Sequence, residues 1–133
     1  MVERLHVSSG GPWEALVGYS RAVRVGEHVW VSGCTGTRPD GSVVEGIAEQ
    51  ARLALQVAAN ALEQTGARLS DVVMVRCYLV EFAEFEEIFP VLRECFGDSR
   101  PAMTAVQVAA LIDPHQRIEI ELQAVAGSSA FGG

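Results

Sequence analysis

The chain has 133 residues, a formal net charge of −7 and a pI near 4.9, with 49% hydrophobic and 20% charged residues. These values describe one globular domain, large enough to bury a core without disulfides or metals. They argue against a nucleic-acid partner, since an acidic chain without a basic stripe repels phosphate, and no apolar run approaches the length of a membrane span.

Arg4 to Ser8 reads as a short first strand, and Ser9 to Glu14, rich in Gly with Pro12, reads as a loop. Tyr19 to Val25 and His28 to Gly33 alternate like strands around a Gly26-Glu27 turn, which predicts a hairpin. Thr37 to Gly41 is a turn by its Pro and Asp-Gly. From Glu45 to Thr65 the period changes. Ile47, Ala51, Leu55, Ala58 and Leu62 fall on one side, with Glu49, Arg52, Gln56, Asn60 and Glu63 opposite, which predicts an amphipathic helix ended by Gly66.

Asp71 to Val80 is a β-branched strand. Ala83 to Phe96 reads as a second helix with Phe85, Ile88, Phe89, Leu92 and Phe96 as its apolar stripe. Pro90 inside it predicts a kink, or a helix that begins near Phe89. Thr104 to Val108 and Arg117 to Val125 complete the strands, and 127–133 reads as a flexible tail after a single domain over 1–126.

The order β-β-β-α-β-α-β-β points to an α+β domain, a mixed sheet with both helices on one face. On the last strand Ile118, Ile120 and Leu122 lie on one side, and Glu119, Glu121 and Gln123 on the other. No element remains to cover a second apolar sheet face, so self-association is the economical way to bury one.

Cys34, Cys77 and Cys95 are odd in number and lack ligand spacing, which fits reduced thiols in a cytoplasmic protein. The N-terminal residues do not resemble a signal peptide. His6, His28 and His115 do not make a metal-site spacing, and no phosphate-binding glycine motif or Gly-x-Ser-x-Gly occurs. No metal or cofactor is therefore expected.

Gly18-Tyr19-Ser20-Arg21-Ala22-Val23 with Val31-Ser32-Gly33, then Arg100-Pro101-Ala102 and Ile118-Glu119-Ile120-Glu121, resemble the conserved segments of the Rid (YjgF/L-PSP) family, over roughly residues 15–126. The resemblance implies a chorismate-mutase-like fold assembled as a homotrimer with a central barrel and small-molecule clefts between subunits. Members that are imine or enamine deaminases clamp the substrate carboxylate with an Arg directly after Pro-Ala, through the paired hydrogen bonds a guanidinium makes best. A Glu on the last strand handles water and proton. Tyr19, Ser32 and Gly33 match cleft positions and Glu119 matches the acid. Met103 stands at the Arg position, Phe89 where many deaminases have Asn, and Ala105 where a Cys is common. The chain thus resembles the arginine-lacking subgroups.

The implied function is hydrolysis of an imine, enamine or related carbonyl compound. Glu119 would activate water, and backbone N–H groups near Gly33 and Met103, Thr104 and Ala105 would position the substrate. A non-catalytic ligand-binding or regulatory trimer is the alternative, favoured by loss of the clamp. The endoribonuclease activity in the old family name is opposed by the acidic charge.

Each candidate also has a plainer reading. Glu119 could face solvent or pair across the trimer with Arg117 or another basic residue. Cys34, after Val-Ser-Gly, could be a nucleophile, an inert thiol or cleft wall, with no His partner close in sequence. Tyr19 could cross a subunit boundary or simply pack. Trp13 and Glu14 could form a lid or plain surface. Arg76, among apolar neighbours, could bridge to Glu119 or Glu121, or supply the missing charge, as could Arg100 if its loop turned inward.

Overall fold

A computed structural model describes residues 3–131. The strands are β1 (Arg4–Val7), β2 (Ala22–Val25), β3 (His28–Thr35), β4 (Val72–Leu79), β5 (Ala102–Gln107) and β6 (Ile118–Val125). The helices are α1 (Pro12–Val17), α2 (Ile47–Gln64) and α3 (Phe89–Phe96). One sheet runs in the order β1-β2-β3-β6-β4-β5, antiparallel at every step except β4–β5, which is parallel. The α+β class and the mixed sheet follow the sequence reading.

Helix α2 forms where its period says it should. Its predicted inner residues Ile47, Ala51, Leu55, Ala58 and Leu62 are all buried, and Gly66 takes the left-handed φ of +86° just past the end. Four buried alanines, at 51, 54, 58 and 61, let the helix lie close across β3 and β6. Burial of Leu55 and Leu62 contributes about 1.5–3 kcal/mol each. Beneath lie Val31, Cys34, Val75, Cys77, Leu79, Ile118, Ile120 and Leu122, all in the same core.

The structure adds detail to three of the sequence readings. The Ser9–Glu14 segment is not all loop. Pro12 opens α1, where its missing N–H costs nothing, and Gly18 closes it at φ +95°. The expected helix over 83–96 is a 3₁₀ segment, Phe82–Ile88, followed by α3 with Pro90 in its first turn. The chain adopts the later start that proline permits. Residues Gly127–Ser129, placed in the flexible tail, are held instead. Ser129 donates from its amide (3.0 Å) and hydroxyl (2.7 Å) to Asp71, which also accepts from the Arg68 amide at 3.2 Å.

Burial opposes ionisation of Asp71, but hydrogen bonds from Ser129, Gly127 and Arg68 outweigh it and hold the carboxyl below its usual value. A depressed folded pKa contributes stability above the unfolded value, near pH 4, and that stability is lost as pH falls through the folded value. Asp71→Asn should therefore flatten the acid-side decline of the urea midpoint. An unchanged decline would show that the clasp does not drive it.

The sheet face away from α2 carries Met74, Arg76 and Tyr78 on β4 and Glu119, Glu121 and Gln123 on β6. This corrects the expectation of a second apolar face. Strict alternation sends the apolar residues of β6 to the helices, and only isolated large apolar groups such as Trp30 and Val106 are exposed.

Candidate functional site

Glu119 occupies the centre of that open face. Register places it between Thr35 of β3 and Tyr78 of β4. The ladder between β3 and β6 slips between Val31 and Cys34, so Ser32 and Gly33 form a bulge against β6. Gly33 lies directly against the Glu119 side chain. A Cβ built there would stand 2.7 Å from Glu119 Cδ and closer still to Oε1, so only glycine leaves the carboxylate its place.

The two residues form one wall of an open cleft of about 270 Å³, completed by Tyr78, Glu121, Val108, Ala110 and Leu111. Burial pushes the Glu119 carboxyl above its ordinary value, the Arg21 guanidinium pulls it down, and Glu121 pushes it up. The net effect is a rise. Tyr78 donates its phenol to Glu121, and that bond raises the phenol's pKa. The cleft thus joins an activated carboxylate to a hydrogen-bonded phenol–carboxylate pair in a partly apolar wall. No Lys, Arg or His lines it.

The remaining candidates separate. Cys34 pairs with Ile120 on the core side and is buried, and burial pushes its thiol up to about 11, the setting of an inert thiol. Ser32 donates its hydroxyl to the Ser20 carbonyl at 2.7 Å. The Tyr19 hydroxyl lies 3.5 Å from Arg21 Nη2, and its ring is 38% exposed. Thr104 stands opposite Arg76 on the open face.

Met103 and Ala105 stand opposite Val75 and Cys77, on the other side of the sheet from Glu119 and two strands away. Met103 and Phe89 are 40% and 44% exposed. One subunit therefore does not bring Met103 and Glu119 together.

Two candidates for the missing positive charge are engaged elsewhere. Arg76 donates to Gln123 at 2.9 Å, and Arg100 turns back to the Gly97 carbonyl at 3.3 Å. Within the chain Arg117 pairs with Glu84. Glu14 is no lid residue, being 5% exposed and paired with Arg21 at 3.5 Å, whereas Trp13 is on the surface.

The sequence reading did not single out Tyr78 or Glu121 for the cleft, nor Arg21 as the cation acting on Glu119. Alternation already set Glu121 beside Glu119, but Tyr78 enters only through the β4–β6 register. Among the described residues no group of three His, Cys, Asp or Glu could hold a metal, and no helix is long and apolar enough to cross a membrane.

Fold and cleft together define a small α+β protein with a carboxylate-bearing cleft on the sheet face away from α2. The family model described as Endoribonuclease L-PSP matches residues 12–126, and the chain belongs to that family, also called YjgF or Rid. A RutC family protein of Pyrococcus abyssi is 37% identical over 110 residues, 81% of this chain and 84% of the relative. The human 2-iminobutanoate/2-iminopropanoate deaminase is 35% identical over 115 residues, 85% and 83% of the two chains. A Mycobacterium tuberculosis structure described as a member of the YjgF/YER057c/UK114 family superposes with a TM-score of 0.87 at 43% identity, over 93% of this chain and all of that one.

Proposed function

We propose that the chain is a deaminase-type hydrolase of imines, enamines or related carbonyl compounds, working in clefts between the subunits of a homotrimer. The observation that carries this reading is Glu119, a carboxylate of raised pKa seated on a glycine at the wall of a cleft. A general base works best when its pKa lies towards the working pH, and burial moves Glu119 that way.

Glu119 removes a proton from water as the water oxygen bonds to the imine carbon and the C=N electron pair moves to nitrogen. The carboxylic acid then returns the proton to the nitrogen of the carbinolamine. Glu119 then takes the hydroxyl proton and passes it to the nitrogen as the C–N bond breaks, so ammonia leaves, the oxygen forms the carbonyl and the carboxylate is restored. The separation of Met103 and Glu119 on opposite sheet faces supports a shared site, since only a neighbouring subunit could bring the Met103 edge to a Glu119 face.

Met103 cannot pair with a carboxylate, and Glu119 and Glu121 repel one. Simple 2-imino acids should be poor substrates, and larger, more apolar imines without a carboxylate should be better. The test is ammonia release from enzymatically generated imines of both kinds. Glu119→Gln should lower the rate by about 100-fold or more. Equal ammonia release by wild type and Glu119→Gln would end this reading.

Loss of the clamp at Met103 favours one second reading, a trimer that binds a small molecule without turning it over. Saturable binding with no ammonia would select it. The family description also names RNA cleavage, which a net charge of −7 and two carboxylates in the cleft oppose.

A further inference from the structure

One buried ion pair has no part in that mechanism. Glu14 of α1 and Arg21, just ahead of β2, are 5% and 9% exposed. Burying two charges costs several kcal/mol per ion before pairing, so a buried pair is weak evidence of stabilisation by itself. Its contacts are specific, however. Glu14 accepts the Ser8 hydroxyl at 3.0 Å, the Ser9 amide at 3.1 Å and the Ser9 hydroxyl. Arg21 Nη1 donates to the Gly33 carbonyl at 2.6 Å and reaches that of Ser32 at 3.4 Å. The guanidinium thus holds both carbonyls of the bulge, and the bulge seats Glu119.

We propose that the Glu14–Arg21 pair is the positioning device of the cleft, fixing the Ser32–Gly33 bulge under Glu119 and setting the charge balance around that carboxylate. The inference rests on reading Glu119 as the acid–base group.

The groups that act on Glu119 come from several elements. Arg21 is the cation that offsets its burial. Glu121 opposes from the same strand, with the Tyr78 phenol of β4 bonded to it. Arg76 is occupied by Gln123, the Cys34 thiol is neutral, and Tyr19 sits beside the guanidinium, 5.7 Å from ring centre to Cζ. Glu14 neutralises part of the Arg21 charge. Removing either partner should therefore move Glu119 in opposite directions, which a purely structural strut would not do.

The experiment is a carbon-13 NMR titration of the full chain labelled at glutamate side-chain carboxyls, with the Glu119 signal assigned by its absence in Glu119→Gln. Arg21→Gln should raise the Glu119 midpoint by about one pH unit. Arg21→Lys should leave it near the wild-type value. Glu14→Gln, which keeps a hydrogen-bonding oxygen for Ser8 and Ser9, should lower the midpoint because Arg21 loses its counter-charge.

Shifts of opposite sign support the proposal. Shifts of one sign, or none, overturn it. If Arg21→Gln does not fold, Glu14→Gln decides alone, with a rise or no movement counting against the proposal. Turnover plays no part, so opposite shifts in a protein that releases no ammonia would reject the hydrolase and keep the positioning pair.

Discussion

Gly33→Ala should cut turnover by about 100-fold or more while leaving stability within about 1 kcal/mol of the parent. The added methyl would meet the Glu119 side chain, with Cδ 2.7 Å away, and no other neighbour lies as near. Glu119 is the end of a flexible side chain on an open face, so it can swing aside at little cost to the fold. Gly33 has no positive φ, so alanine meets no backbone strain. Glu119 cannot swing aside and also keep its place at the cleft wall, and about an ångström of displacement is enough for a loss of that size. Ammonia release and urea denaturation on the same sample separate the two effects. Full turnover in a folded Gly33→Ala protein would mean that the observed seat of Glu119 does not matter. A collapse of stability would mean that the methyl meets something stiffer than a side chain.

Gly36→Ala should do the reverse, destabilising the fold by about 3 kcal/mol. Gly36 follows β3 under α2, and a Cβ there would stand 2.5 Å from Gln50 Cα and 2.7 Å from Gln50 Cβ. Here the obstacle is the backbone of a helix, which can yield only by shifting along its length. Gln50 is also the clasp of that end of the molecule. Its amide donates to the Val44 and His115 carbonyls, both at 3.0 Å, and its oxygen accepts the Arg117 amide at 2.7 Å. Moving α2 stretches all three bonds, and a buried polar group left without its partner costs about 1–3 kcal/mol. A urea midpoint that falls at constant m-value is the expected signature. A midpoint equal to wild type would show that α2 is not packed as tightly here as the distances say.

Much of the fold could be read in the chain because local signals agreed. The inner face of α2 was legible from spacing alone, since a period near 3.6 over five turns has no strand alternative. Pro90 flagged the break between the 3₁₀ segment and α3. Helix α1 was missed because Gly10 and Gly11 pulled the reading towards a loop, although Pro12 was the signal that could have found it.

Alternation set Glu119 apart from Ile118 and Ile120, yet its contact with Gly33 depends on a two-residue bulge in a strand 86 positions earlier. Nothing local encodes that slip. Likewise alternation puts Met103 and Thr104 on opposite faces, but only the parallel register with β4 assigns Thr104, and not Met103, to the face of Glu119. Tyr78 was hidden for the same reason, entering the cleft only through the long-range pairing of β4 with β6.

The position of β6 bears on how the molecule is made. It comes last in chain order among the described strands, yet it sits between β3 and β4, and among the described residues no ladder joins β1–β3 to β4–β5 without it. During synthesis the two half-sheets must wait with their inner edges bare until residue 118 and beyond emerge. Without β6 the two half-sheets would keep bare inner edges, the kind of unpaired backbone that recruits other strands.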